Sequence, residues 1–108
     1  MIISKKYKRL LDLNLENFEP WRILSKSQSD KYGKDLRKRY SKRNLIPFAR
    51  RIDCDDVACW DLSKTESIEK IYIIHDFASE GWEQQEEFEN FDDWFKEALN
   101  DMFSFEDE

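Results

Sequence analysis

Apolar residues recur along this chain at two different periods, and each period predicts a different element. Near the C-terminus, Phe91, Trp94, Phe95, Ala98, Leu99, Met102 and Phe103 fall three and four apart, so they predict an amphipathic helix whose broad stripe packs across a sheet. Asn90 is placed to cap that helix, and Asp92 and Asp93 stand in its first turn, where the helix dipole favours anions. Residues 57–62 alternate instead. Val57 and Cys59 share one face of a predicted strand, and Ala58, Trp60 and Leu62 share the other. Residues 68–75 predict a second strand, and its unbroken Ile71-Tyr72-Ile73-Ile74 run asks for a central position with both faces covered. The turn at 63–67 makes the two an antiparallel hairpin.

The first half is thinner in signal. Ser4 is a natural N-cap for a short helix carrying Tyr7, Leu10 and Leu11, which Asn14 and Asn17 loosen and Pro20 ends. Trp21, Ile23 and Leu24 form an apolar patch too short to assign. Residues 27–44 predict a basic helix with Tyr32, Leu36 and Tyr40 four apart, weakened at Gly33 by about 1 kcal/mol relative to alanine. Pro47 lacks an N–H, so a strand there should be an edge or should begin at the proline. The Asp-rich 52–56 segment reads as a turn, and the final FSFEDE reads as an acidic tail that frays.

At 108 residues the chain is expected to form one domain, 1–108, with the eight Phe, four Trp and four Tyr supplying much of its buried area. Charge is unevenly placed. Residues 1–51 hold 15 of the 18 Lys and Arg against 5 of the 24 Asp and Glu, a balance of +10, whereas residues 52–108 hold 3 against 19, a balance of −16. Either the halves attract each other, or they face different partners, or both are simply solvated. Cys54 and Cys59 are too few for a disulfide framework or a zinc site, and Cys59 reads as a small core residue. No apolar stretch reaches 18 residues and Met1 runs straight into Ser4-Lys5-Lys6, so a soluble, cytoplasmic protein is expected.

Candidate chemistry is sparse. The single histidine, His75, precedes Asp76, but neighbouring strand residues point to opposite faces, which favours a structural hydrogen bond over a catalytic pair. Asp53, Asp55, Asp56 and Asp61 lack the glycine and closing Glu of a calcium loop, so no metal is expected. Gly33 and Gly81 are the only glycines, and no phosphate-cradling loop or cofactor is expected. The basic 31–51 segment, interleaved with Tyr32 and Tyr40, is the feature that would follow a nucleic-acid backbone, against the repulsion of an acidic second half. Trp82, flanked by Gly81 and by Glu83, Glu86, Glu87 and Glu89, reads either as an aromatic anchor with a charged rim or as a lid over the core.

The order Ile46-Pro47-Phe48-Ala49, Asp55-Asp56, Cys59-Trp60-Asp61, a strand ending in His75-Asp76, then Phe91-Asp92-Asp93-Trp94-Phe95 resembles the SUKH superfamily over residues 45–102. That superfamily takes in yeast cell-wall-synthesis regulators and many bacterial immunity proteins. The resemblance implies an α+β fold, a mainly antiparallel sheet with packed helices, and no shared catalytic residues or cofactors. It also implies a cytoplasmic protein-binding module that neutralises a toxin, often a nuclease, by protein–protein contact. The expected partner is then a basic toxin domain, met by Asp55, Asp56, Glu83 and Glu86 with Trp82 as anchor. Nucleic-acid association through residues 31–51 is the alternative. The family's Leu-Pro motif and Asn-Gly-Gly turn are not recognisable here, and Asp55 stands where many members have Gly.

Overall fold

The computed structural model describes residues 4–105. Helix α1 (Lys5–Asp12) begins where the Ser4 hydroxyl accepts the Tyr7 amide at 3.2 Å, as the sequence predicts, and buries Tyr7 and Leu10. The unassigned apolar patch becomes a strand: β1 (Asn17–Phe18) and β2 (Trp21–Ile23) form a short hairpin. Helix α2 (Lys26–Arg39) opens on a capping box, with Ser25 and Gln28 bonding each other's backbone. Its glycine has a reason. A Cβ at Gly33 would lie 3.2 Å from the Pro47 ring and 2.6 Å from Arg37 Nη1, so the missing side chain lets Arg37 pass and donate to the Leu45 carbonyl at 2.7 Å.

The remaining elements are β3 (Leu45–Arg51), β4 (Asp56–Asp61), a 3-10 turn at Thr65–Ser67, β5 (Ile71–His75), β6 (Gln84–Phe88) and α3 (Phe91–Ser104). All six strands lie side by side in chain order, each antiparallel to the next. The expected α+β fold with a mainly antiparallel sheet is what the chain forms.

The structure departs from the sequence reading in that α2 stops at Arg39 rather than residue 44 and β4 runs Asp56–Asp61 rather than 57–62, and four further details differ. Pro47 neither edges nor starts its strand; it sits inside β3, between β2 and β4. It is tolerated there because β2 pairs only with residues 49–51, and because a bulge interrupts the β3–β4 ladder between Pro47 and Ala49. The fifth strand starts at Ile71 rather than residue 68, leaving Ile68 exposed in the turn. Glu86 and Glu87, read as part of a charged rim after a loop tryptophan, lie instead in strand β6 at the sheet edge; with its first four residues exposed and only Phe88 packed on the core, this strand has no apolar alternation to announce it. Finally, α3 buries Phe91, Trp94 and Ala98 but overhangs the sheet, leaving Phe103 80% exposed. The helix runs through Ser104 instead of fraying from Phe103, and residues 106–108 of the expected tail lie outside the described residues.

The strand alternation fills two cores. Ala58, Trp60, Ile71 and Ile73 point to the face covered by α1 and α3, while Val57, Cys59, Tyr72 and Ile74 point to the face covered by α2. The β3 bulge sends Phe48 and Ala49, consecutive residues, into the first core. Phe48 becomes its hub, with ring centroids of Trp60 at 4.4 Å, Trp94 at 4.8 Å and Phe91 at 5.4 Å. Trp94 is 1% exposed and its indole N–H has no hydrogen-bond partner, so packing alone holds it.

The oppositely charged halves do meet. Lys6 pairs with Asp92, Arg39 with Asp76, Arg43 with Asp61 and Glu83, and Arg51 with Asp53 and Asp101. No helix among the described residues is long and apolar enough to cross a membrane.

Removing a large buried aromatic costs roughly 3–5 kcal/mol, so Trp94→Ala is expected to lose that much stability in urea melts. Asp92→Ala, on the solvent side of the same helix, is expected to lose little; equal losses would mean that the stripe does not face the core.

Candidate functional site

Two connections share one end of the sheet: the β3–β4 turn at 52–55 and the β5–β6 loop at 76–83. They are tied together where the Asp76 amide donates to the Asp55 carbonyl at 3.0 Å. The longer loop is built around buried carboxylates, although it looks in sequence like a solvated acidic segment.

Asp76 is 1% exposed, and a carboxylate so far from water needs its lone pairs filled. Arg39, in the last turn of α2, donates Nε and Nη2 to the two Asp76 oxygens at 2.8 and 2.7 Å. The Tyr32 hydroxyl donates at 2.7 Å and the Phe77 amide at 2.8 Å. At the far end of the loop, Glu83 is 7% exposed and accepts from Arg43 Nη1 at 3.1 Å and from the Gly81 amide at 2.6 Å. Burial pushes the Glu83 carboxyl up, but the backbone N–H bonds and the Arg43 guanidinium outweigh it and hold the group below the usual range. Arg43 also donates Nε to the fully buried Asp61 at 2.9 Å, and Tyr40 donates to the Ala78 carbonyl at 2.8 Å.

This scaffold leaves the loop little freedom, and two residues hold left-handed backbone. Gly81 takes φ 99 without a side chain to clash, whereas Phe77 holds φ 68 with a ring attached, a conformation that a bulky residue adopts only when its surroundings impose it. The Phe77 ring lies under the Arg39 guanidinium at 4.5 Å, yet it is 70% exposed. Trp82 is 78% exposed. Its lid reading is therefore overturned: the indole stands in solvent.

The expected binding residues separate by position. Asp55 and Trp82 are exposed on the shared end, and Asp56 is half-buried beside them. Glu86 is exposed on β6, where burial, then the charges of Glu97, Asp101 and Asp56, raise its carboxyl above the usual range. Glu83 is different, since its carboxylate is spent inside the loop on Arg43 and Gly81 and offers no charge to a rim. Phe77 was not anticipated; an aromatic directly after a strand-end Asp and before an Ala-Ser-Glu-Gly turn is the signal that would have found it.

His75 closes the site with the structural hydrogen bond expected of it, Nδ1 to Asp56 Oδ1 at 2.7 Å, while its amide donates to the Glu83 carbonyl at 2.7 Å. Asp76 points away to Arg39, as strand alternation requires. The Asp-rich turn is likewise paired internally, with Asp53 taken by the Arg51 fork at 2.8 and 2.9 Å.

A family model described as SMI1 / KNR4 family (SUKH-1) matches residues 4–97 of the chain. The match reaches well into the N-terminal half, beyond the 45–102 stretch whose motifs carry the resemblance. No curated protein and no solved structure matches.

The hydrogen bond to Asp56, with the charges of Asp56, Asp55 and Asp76, outweighs burial and raises the His75 pKa above 6.5. A pKa raised on folding means that the pair's stabilisation is fully present below about pH 6.5 and is lost as pH rises through the folded value. Imidazole titration by NMR is expected to give a midpoint above 6.5 in the native chain, returned towards 6.5 in Asp56→Asn. Asp76→Ala is expected to lose roughly 3 kcal/mol, the low end for breaking a buried pair because Arg39 keeps some contact with water. Hydrogen exchange should then rise in residues 77–82; an unchanged loop would refute the scaffold.

Proposed function

The chain belongs to the SMI1 / KNR4 family (SUKH-1), and we propose that it is a non-enzymatic protein-binding module of the immunity type, which neutralises a basic toxin domain by covering it. The carrying observation is a pair of large aromatics, Phe77 and Trp82, held out in solvent on a loop whose backbone is pinned by Asp76–Arg39 and Glu83–Arg43. Exposed aromatics cost solvation when nothing covers them, and aromatic anchors dominate the energetics of protein interfaces. A loop already fixed in shape loses little further entropy on docking. Asp55, Asp56, Glu80 and Glu86 supply the negative rim, which attracts a basic partner at long range and rejects acidic ones.

Nucleic acid is the weaker reading. Of the five arginines in residues 31–51, Arg37, Arg39, Arg43 and Arg51 already donate to groups inside the protein, which leaves Arg50 on β3 and the scattered lysines of α2 as the free cations among the described residues. Arg39, Arg43 and Arg51 each have two or more guanidinium nitrogens so engaged, which leaves no fork for a phosphate.

With the full chain as bait, capture from lysate of the source cell is expected to recover one stoichiometric basic protein, unaffected by nuclease treatment. Trp82→Ala and Phe77→Ala should speed its dissociation, since anchors act after contact. Asp55→Asn with Glu86→Gln should slow association and flatten its salt dependence. Lys34→Gln with Lys38→Gln should change neither. Recovery of nucleic acid that depends on those two lysines would sink this reading in favour of the alternative.

A further inference from the structure

Helix α2 covers the sheet only over β3, β4 and β5, and beside it a groove of about 610 Å³ opens over β2 and the end of β3. That volume lies within the range of small-molecule sites, roughly 300–1,000 Å³. Two arginines stand on its floor. Arg22 and Arg50 are directly opposite each other in the β2–β3 register, and because their neighbours Trp21, Ile23 and Ala49 enter the other core, both face α2. Like charges directly opposite across two strands destabilise a sheet.

Among the described residues this pair is relieved only in part, with one Arg22 nitrogen taken by a carboxylate and none of Arg50's. Arg22 reaches only the exposed Glu19, at 2.8 Å, while among the described residues Arg50 has no carboxylate within 4.0 Å and instead lies 5.8 Å from the Tyr32 ring centroid. Lys31 adds a third cation from α2, and Gln28 also lines the groove. Glu16 and Asp35 share the lining, yet neither pairs with the three cations. A long polyanion would meet both carboxylates, whereas one tetrahedral oxyanion seated between the two guanidinium forks need not. The half-exposed Ile52 and the buried Leu24 offer apolar surface for an organic group beside it.

We infer that this groove is a binding site for a small organic phosphomonoester, with Arg22 and Arg50 gripping the phosphate and Lys31 closing on it. Two forks and an ammonium match the three terminal oxygens of such a group better than the two of a carboxylate. The site lies on the α2 face of the sheet and does not depend on the role of the Phe77–Trp82 loop.

The test is an amide NMR titration of the full chain with phenyl phosphate, inorganic phosphate and benzoate. Phenyl phosphate is expected to give saturable shifts at residues 22, 28, 31 and 50, with inorganic phosphate weaker and benzoate weaker still. Arg22→Gln and Arg50→Gln should each weaken binding at least tenfold, and Lys64→Gln should not. Without ligand, Arg22→Gln should melt no lower than the native chain, because it removes a like-charge pair; a merely structural arginine would lower the melting temperature. Shifts that fail to saturate and spread over other lysines, or affinity unchanged in both arginine variants, would mean an adventitious ion only and overturn the proposal.

Discussion

A sheet whose central strands carry unbroken apolar runs cannot leave either face in water, and the architecture of this protein follows from that. Val57 through Trp60 and Ile71 through Ile74 are buried without a break, so one helical layer is not enough. α1 and α3 close one face and α2 closes the other. At roughly 1.5–3 kcal/mol for each large side chain fully buried, the two cores outweigh any single ion pair on the surface.

Covering both faces also places the charges. Laying α2 against β3, β4 and β5 brings Arg39 in its last turn onto Asp76 of the β5–β6 loop, and Arg43 just beyond the helix onto Asp61 at the end of β4 and Glu83 of the loop. The split between a basic first half and an acidic second half is therefore in part an internal complementarity. Once buried, these pairs cannot be released cheaply, because removing either partner strands the other charge away from water. The loop they pin is the one that carries Phe77 and Trp82 into solvent. Rigidity and exposure thus have one cause, and the same pairs take up arginines that a nucleic-acid surface would need.

The layer is also incomplete, since α2 is too narrow to cover β2. Over the uncovered strands the α2-facing positions change from apolar to charged, and Arg22 and Arg50 stand where Val57 and Ile74 stand further along the sheet. Solvent access tolerates this substitution but does not account for the repulsion between the two arginines. At the opposite edge β6 keeps its acidic side chains wet, which also discourages pairing with a strand of another copy.

Local sequence was sufficient wherever burial imposes a period on the chain. The α3 stripe with its Asn90 cap, the β4–β5 hairpin, the doubly covered β5 and the Ser4 cap of α1 were all legible, because each repeats apolar residues at its own geometric spacing or places a capping group at a fixed offset. The outward Trp82 was legible as an anchor or a lid, but not as one of the two. What tertiary structure decided has no local signature. A wet edge strand such as β6 has no period, and a bulge that admits Pro47 depends on where the neighbouring strand ends. Whether Glu83 serves as a rim charge or a buried strut depends on Arg43, forty positions away in sequence. Periodicity records which faces are dry; the partner of each charge is settled only when distant segments are packed together.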